Sequence, residues 1–146
     1  MKVKIKRLKP EAKIPHRQFD DDAGYDIASA VEIKIPAKGW ALVSTGIAVE
    51  LPPSMEMQVR SRSGLALKHG IFCLNAPGTV DAGYRNEIGV ILANFGENDF
   101  QIHIGDRIAQ VIFQEPLHPI LEQCEELMPS VRGLNGFGST GKESKS

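Results

Sequence analysis

Phe100-Gln101-Ile102-His103-Ile104, the turn pair Gly105-Asp106, and Ile108-Ala109-Gln110-Val111-Ile112-Phe113 decide the fold. The first run alternates apolar and polar residues with a period of two, and the second is rich in β-branched and aromatic residues. Two strand signatures separated by a glycine turn set the pattern of short strands and tight turns. The same pattern spreads outward. Residues 2–8, 31–35 and 55–60 alternate or run β-branched in the same way. Turn signals separate them at Pro36-Ala37-Lys38-Gly39, Pro52-Pro53-Ser54, Pro77-Gly78, Asp81-Ala82-Gly83 and Gly96-Glu97-Asn98-Asp99. Only Ser63–His69 reads as helix, with Ser63 as N-cap, Leu65-Ala66-Leu67-Lys68 as body and Gly70 as stop. Short strands at this spacing predict an all-β sandwich or barrel of antiparallel strands with one short helix.

Composition limits the function. The chain has 146 residues, 42% hydrophobic and 24% charged, with a formal net charge of -1. That is the balance of a globular domain. No stretch beyond the first ten residues concentrates Lys and Arg. A duplex binder needs a basic face to displace counterions, so nucleic acid is not expected as a partner. The basic start is not followed by the apolar run of a signal peptide. The longest apolar stretch, residues 88–95, falls well short of the ~20 residues that cross a bilayer. No membrane association is expected. Cys73 and Cys124 sit among apolar neighbours without C-x-x-C spacing, which predicts two buried free thiols in a reducing cytoplasm. His16, His69, His103 and His118 lack metal-ligand spacing. The expected organisation is a β domain over 1–129 and a flexible glycine-rich arm over 130–146 that closes over an active site.

Three segments carry candidate chemistry. In the arm, Gly136-x4-Gly141-Lys142 imitates a phosphate-binding P-loop, but Glu143 stands where Ser or Thr should hold Mg²⁺, and no strand precedes it. Gly138-Ser139-Thr140-Gly141 can still turn backbone N–H groups and two hydroxyls toward phosphate oxygens. Arg132 adds a bidentate cation, and Phe137 a flat surface for a base. A solvated linker fits the same composition. Arg60-Ser61-Arg62-Ser63-Gly64 opens the helix, where free N–H groups and two arginines suit an anion, though a simple N-cap with surface arginines fits the same residues. Asn75-Ala76-Pro77-Gly78-Thr79-Val80-Asp81-Ala82-Gly83-Tyr84-Arg85 looks like a hairpin. There Asp81 is either a turn-former or a carboxylate that takes a proton from attacking water. Asp26 and Gln110, taken singly, are ordinary loop or strand-face residues.

As an ordered set these segments resemble the five motifs of the trimeric deoxyuridine triphosphatases (dUTPases). The motifs are Ala23-Gly24-Tyr25-Asp26-Ile27, Arg62-Ser63-Gly64-Leu65-Ala66 and Gly78-Thr79-Val80-Asp81-Ala82-Gly83-Tyr84-Arg85. They continue with Gly105-Asp106-Arg107-Ile108-Ala109-Gln110 and with Arg132-Gly133-Leu134-Asn135-Gly136-Phe137-Gly138-Ser139-Thr140-Gly141. The resemblance implies a distorted jelly-roll (β-clip) barrel. It also implies Mg²⁺-assisted hydrolysis of dUTP to dUMP and pyrophosphate, which keeps uracil out of DNA and supplies dUMP for thymidylate synthesis. By that likeness Asp81 is the general base for in-line attack on the α-phosphorus. Tyr84 packs on the deoxyribose and leaves no room for a 2′-hydroxyl. Asn75 and the backbone of Gly78, Thr79, Val80 and Gly89 hydrogen-bond uracil in a space too tight for thymine. Arg62, Ser63 and Gly64 hold the phosphate chain, Gln110 supports phosphates or the metal's water, and Asp26 orients that network. Arg132, Ser139 and Thr140 reach the phosphates from the arm, with Gly138 in its loop and Phe137 over uracil. The family's Mg²⁺ is held by the triphosphate and waters, so no protein ligand set is expected. The family's sites are shared among three subunits, which implies a homotrimer.

Three positions depart from the family pattern. Asn135 and Asn86 stand where glycine is usual, and Ser61 where proline often precedes the arginine. Asn tolerates positive φ better than other residues with a side chain. The related dCTP deaminases carry a catalytic glutamate ten residues after the hairpin aspartate. That position is Ile91 here, and Glu87 is too early to replace it. A non-catalytic binder on the same scaffold would have no use for the water-activating carboxylate.

Overall fold

Alternation of apolar and polar residues builds most of the chain, and the strands it builds are short. A computed structural model describes residues 2–134. In chain order the elements are β1 (Lys4–Arg7), β2 (Tyr25–Ala28), β3 (Ile33–Ile35), β4 (Trp40–Ser44), β5 (Ile47–Glu50) and β6 (Glu56–Arg60). Helix α1 (Ser63–His69) follows, then β7 (Ile71–Cys73), β8 (Gly78–Val80), β9 (Gly89–Asn94), β10 (Phe100–Ile102) and β11 (Arg107–Gln114). All strand pairs are antiparallel. They form a four-stranded sheet β2-β11-β6-β8, a three-stranded sheet β4-β9-β7, and the two-stranded pairs β1-β5 and β10-β3. These sheets wrap a single core as a distorted jelly roll. Ile27, Ile35, Val43, Ile47, Met57, Ile71, Leu92 and Val111 fill it, none more than 1% exposed. β-branched residues dominate because they pack well on a pleated surface.

β11 is the hinge of the arrangement. It bonds to β2 on one side and β6 on the other, and its register with β2 shifts between Arg107 and Ala109. Strict alternation would put Arg107 and Gln110 on opposite faces of the sheet. The bulge inserts one residue, so Ile108 and Ala109 are both buried while Arg107 and Gln110 face the same cleft.

Several expectations need correction. The helix spans Ser63–His69, but its N-cap is Arg62 in extended conformation, and no side chain caps it; Ser63 is the first helical residue. Its stop is as expected: Gly70 adopts a left-handed φ of 67°, and its N–H bonds back to Ala66 O. Residues 75–85 are not a self-paired hairpin. β8 bonds to β6, and β9 bonds to β4 and β7, so the two arms of the segment splay apart. Leu74 bonds to Ile91 O before the Ala76–Pro77 peptide, which is cis, and the chain then diverges. Both cysteines are free thiols, but only Cys73 is buried; Cys124 is exposed because it lies beyond β11, where residues 115–134 carry no strand or helix. Burial pushes the Cys73 thiol up, against a smaller lowering by Ser61. No helix among the described residues is long and apolar enough to cross a membrane.

Candidate active site

The site is assembled from two clefts that share no lining residue among those described. The first has a volume of about 480 Å³ and is walled by the loop before β2, by β2, β6 and β11, and by the start of α1. Asp26, Arg62, Ser63, Gly64 and Gln110 line it, together with Arg60 and Arg107. Asp26 is its hub. One carboxylate oxygen is ion-paired with Arg62 Nε at 3.0 Å and the other accepts from Arg107 Nη1 at 2.8 Å, with the Asp26 side chain only 13% exposed. Arg62 Nη1 also donates to the Arg107 carbonyl at 3.0 Å. One carboxylate thus orients two guanidinium groups, and the planar forks left facing the cleft match phosphate oxygens.

Gln110 crosses the cleft floor. Its Nε2 donates to the Ser61 carbonyl at 2.9 Å. A Cβ on Gly24 would lie 2.3 Å from Gln110 Oε1, so any side chain there would push the amide aside. Ser61 occupies the position where the resemblance leads one to expect proline. Its hydroxyl accepts the Cys73 N–H at 2.9 Å and ties β7 to the end of β6. Gly64 has no atom within 4 Å of a notional Cβ, so its backbone is open to whatever fills the cleft.

The second cleft, about 240 Å³, lies between the splayed arms and is lined by Thr79, Val80, Asp81, Tyr84, Ile88 and Gly89. Its walls mix polar and apolar groups, with Asp81 and Tyr84 beside Val80, Ile88 and Gly89. The Tyr84 N–H donates to the Asp81 carbonyl at 3.0 Å, and its hydroxyl to the Glu87 carbonyl at 2.9 Å. Asn75 packs on Gly78, where a Cβ would meet Asn75 Nδ2 at 3.0 Å.

The structure therefore gathers the predicted residues into two groups. Asp26, Arg62, Ser63, Gly64 and Gln110 form one. Thr79, Val80, Asp81, Tyr84 and Gly89 form the other, with Asn75 and Gly78 at its edge. Arg132 lies exposed beyond β11. Phe137, Gly138, Ser139 and Thr140 lie outside the described residues. Arg107 and Arg60 were missed as site residues, although both sit inside quoted segments. The signal for Arg107 was its place beside a carboxylate partner, and that partner is 81 positions away in sequence.

No group of three or more His, Cys, Asp or Glu among the described residues is placed to hold a metal ion. The first cleft is arginine-rich, and its hub carboxylate is already engaged by two arginines. Such a donor set fits an anion that brings its own cation.

An all-β scaffold carrying an arginine-walled cleft and a separate smaller slot beside Tyr84 defines a class: an all-β protein with a cleft whose charge suits phosphates. Comparison with known proteins narrows it. The dUTPase family model matches residues 10–141. A deoxyuridine 5′-triphosphate nucleotidohydrolase of Crocosphaera subtropica is 49% identical over 97% of this chain and 99% of the relative. One from Clostridium tetani is 50% identical over 96% of this chain and 97% of the relative. Among solved structures, the Staphylococcus bacteriophage 80alpha dUTPase with dUPNHPP superposes with a TM-score of 0.89 at 30% identity, covering 96% of this chain and 98% of that one. A phage phi11 dUTPase mutant, described as coordinating a structural Mg(II) ion, gives a TM-score of 0.80 at 26% identity, covering 87% of this chain and 99% of that one. The chain belongs to the dUTPase family.

Proposed function

We propose that the chain hydrolyses dUTP to dUMP and pyrophosphate at a site completed by neighbouring subunits. The observation that carries this reading is the division of the site: the cleft suited to phosphates and the slot suited to the base are separate on one chain. A nucleotide must touch both, so the slot of one subunit faces the phosphate cleft of another.

In the slot, uracil lies between the splayed arms, read by backbone groups of Gly78, Thr79, Val80 and Gly89 with Asn75 alongside. In this reading the slot rejects a 5-methyl group sterically. Tyr84 packs on the deoxyribose and excludes a 2′-hydroxyl. Arg62, Ser63, Gly64 and Gln110 hold the triphosphate of the nucleotide whose base sits in the neighbour's slot. Asp81 takes a proton from water as its oxygen bonds to the α-phosphorus. The bond from that phosphorus to the α,β-bridging oxygen breaks, and pyrophosphate leaves. Mg²⁺ arriving on the triphosphate would neutralise charge there, with Asp26 and Gln110 on the nearest wall. From the arm, Arg132, Phe137, Gly138, Ser139 and Thr140 close a third side.

A homotrimer is supported by surface that one chain leaves uncovered. Trp40, Leu42 and Leu74 share the outer face of the β4-β9-β7 sheet and are 67%, 65% and 49% exposed. Leu117, Ile120 and Leu121 beyond β11 are over 90% exposed. Apolar surface of this extent marks a protein contact. The free thiols support a reducing compartment, the cytoplasm.

The test is pyrophosphate release with Mg²⁺ from dUTP, dCTP, dTTP and UTP. Turnover of dUTP alone is expected. Ammonia release from dCTP, or equal turnover of UTP, would overturn the reading.

A further inference from the structure

We infer that Glu87 is a positioning residue that sets sugar selectivity by anchoring Tyr84 to the core. The inference rests on the proposed role of the Tyr84 slot.

Glu87 sits at the foot of the arm that returns to β9. Its carboxylate accepts from Ser44 Oγ and from the Gly46 N–H, the latter at 2.8 Å, in the turn between β4 and β5. Lys9 Nζ lies 3.9 Å from the same carboxylate and donates to Ser44 Oγ at 2.7 Å. The hydrogen bond from Ser44 is the largest cause holding the Glu87 carboxyl below its ordinary range, so it faces the turn as a carboxylate. That turn cannot shift easily. Gly46 has φ of 68°, a Cβ there would meet Ala12 at 2.9 Å, and its carbonyl accepts from Leu8 N–H at 2.7 Å. The adjoining Thr45 is 1% exposed, and its hydroxyl and amide both donate to the Ile88 carbonyl.

From the same residue the constraint runs outward. The Glu87 carbonyl accepts the Tyr84 hydroxyl at 2.9 Å, while its N–H is held by Asn86 Oδ1 at 2.8 Å. Tyr84 is 42% exposed, so packing does not confine its ring. The ring is tied at one end through its amide to Asp81 and at the other through its hydroxyl to Glu87. The Ile88 N–H in the same peptide donates to the Ile47 carbonyl at 2.8 Å, so losing the Glu87 side chain loosens the second anchor on its outer side without freeing it. A ring that stands against a sugar must be placed within a fraction of an ångström to reject one extra hydroxyl.

The test compares kcat/KM for dUTP and UTP in the full-length wild type, Glu87→Ala, Glu87→Gln and Tyr84→Phe. Glu87→Ala should lower the preference for dUTP by about tenfold, mostly through KM, because the base itself is untouched. Glu87→Gln, which keeps an acceptor for the Gly46 N–H and Ser44, should retain most of the preference. Tyr84→Phe should lose as much as Glu87→Ala, and the double variant Glu87→Ala/Tyr84→Phe no more, since both cut one tether. An unchanged preference in a folded Glu87→Ala protein, or losses that multiply in the double variant, would overturn the inference. If Glu87→Ala does not fold, Ser44→Ala decides in its place, with the same loss expected and an unchanged preference overturning it. A wild type that turns over UTP as fast as dUTP would instead refute the proposed function.

Discussion

The two clefts proposed to share the nucleotide are built by opposite means. The phosphate cleft is made of side chains: one carboxylate, Asp26, fixes two guanidinium groups at 3.0 and 2.8 Å, and Gln110 is locked to a backbone carbonyl. The proposed base slot lies between arms held apart because each pairs with a different strand. Charges in the first must be pre-aligned, since free arginines would spend binding energy on being ordered. Shape in the second must be rigid, since selection against a methyl or a hydroxyl is steric. Charge recognises the common part of every nucleotide, and the slot recognises the part that differs.

Variants can break that division of labour. The largest effect is expected at Asp81, where the slot meets the chemistry. Asp81→Asn should lower kcat by about 10²–10⁴-fold, the worth of a general base, while a non-hydrolysable dUTP analogue binds with unchanged Kd. Near-normal kcat would remove Asp81 from its role. Next is Asp26→Asn, which leaves both arginines a neutral partner. A loss of roughly 10–100-fold in kcat/KM is expected, matching about 1.5–3 kcal/mol for hydrogen bonds to a charged group. Binding of unphosphorylated deoxyuridine should not change, and a parallel loss there would erase the distinction between the clefts.

Smaller still is Gly24→Ala, whose new methyl would meet Gln110 Oε1 at 2.3 Å. About fivefold in kcat/KM is expected, equivalent to roughly 1 kcal/mol of overpacking. In a Gln110→Ala background the same change should cost nothing further; kinetics of the double variant checks it. The smallest effect concerns stability. Glu87 is held below its ordinary value of 4.5 by Ser44 and Gly46. A depressed carboxylate stabilises the fold above that ordinary value and loses the contribution as pH falls through its folded value. Thermal melts should therefore separate wild type from Glu87→Gln at pH 7 and converge in acid. A gap that widened in acid would contradict the assigned contacts.

Legibility differed between the regions as well. Strands where polar residues alternate cleanly, such as β6 and β10, were visible in sequence because a half-buried strand repeats every two residues. β5 was not delimited, because consecutive burial over Ile47, Ala48 and Val49 erases the alternation, and β4 was not because its exposed face carries the apolar Trp40 and Leu42. Ser63 was expected to cap the helix because serine favours that position, but the fold put Arg62 there to reach Asp26. Cys124 looked buried from its neighbours alone, although no core lies within reach beyond β11.

The sequence alone determined the all-β class, the helix with its glycine stop and the family, because these depend on local periodicity, turn chemistry and the order of motifs. Only the tertiary structure decided that Arg107 and Gln110 share a face, that residues 75–85 open into a slot instead of pairing, and that Glu87 anchors Tyr84. Each of those depends on a bulge, a register or a contact between distant strands, and spacing along the chain does not encode them.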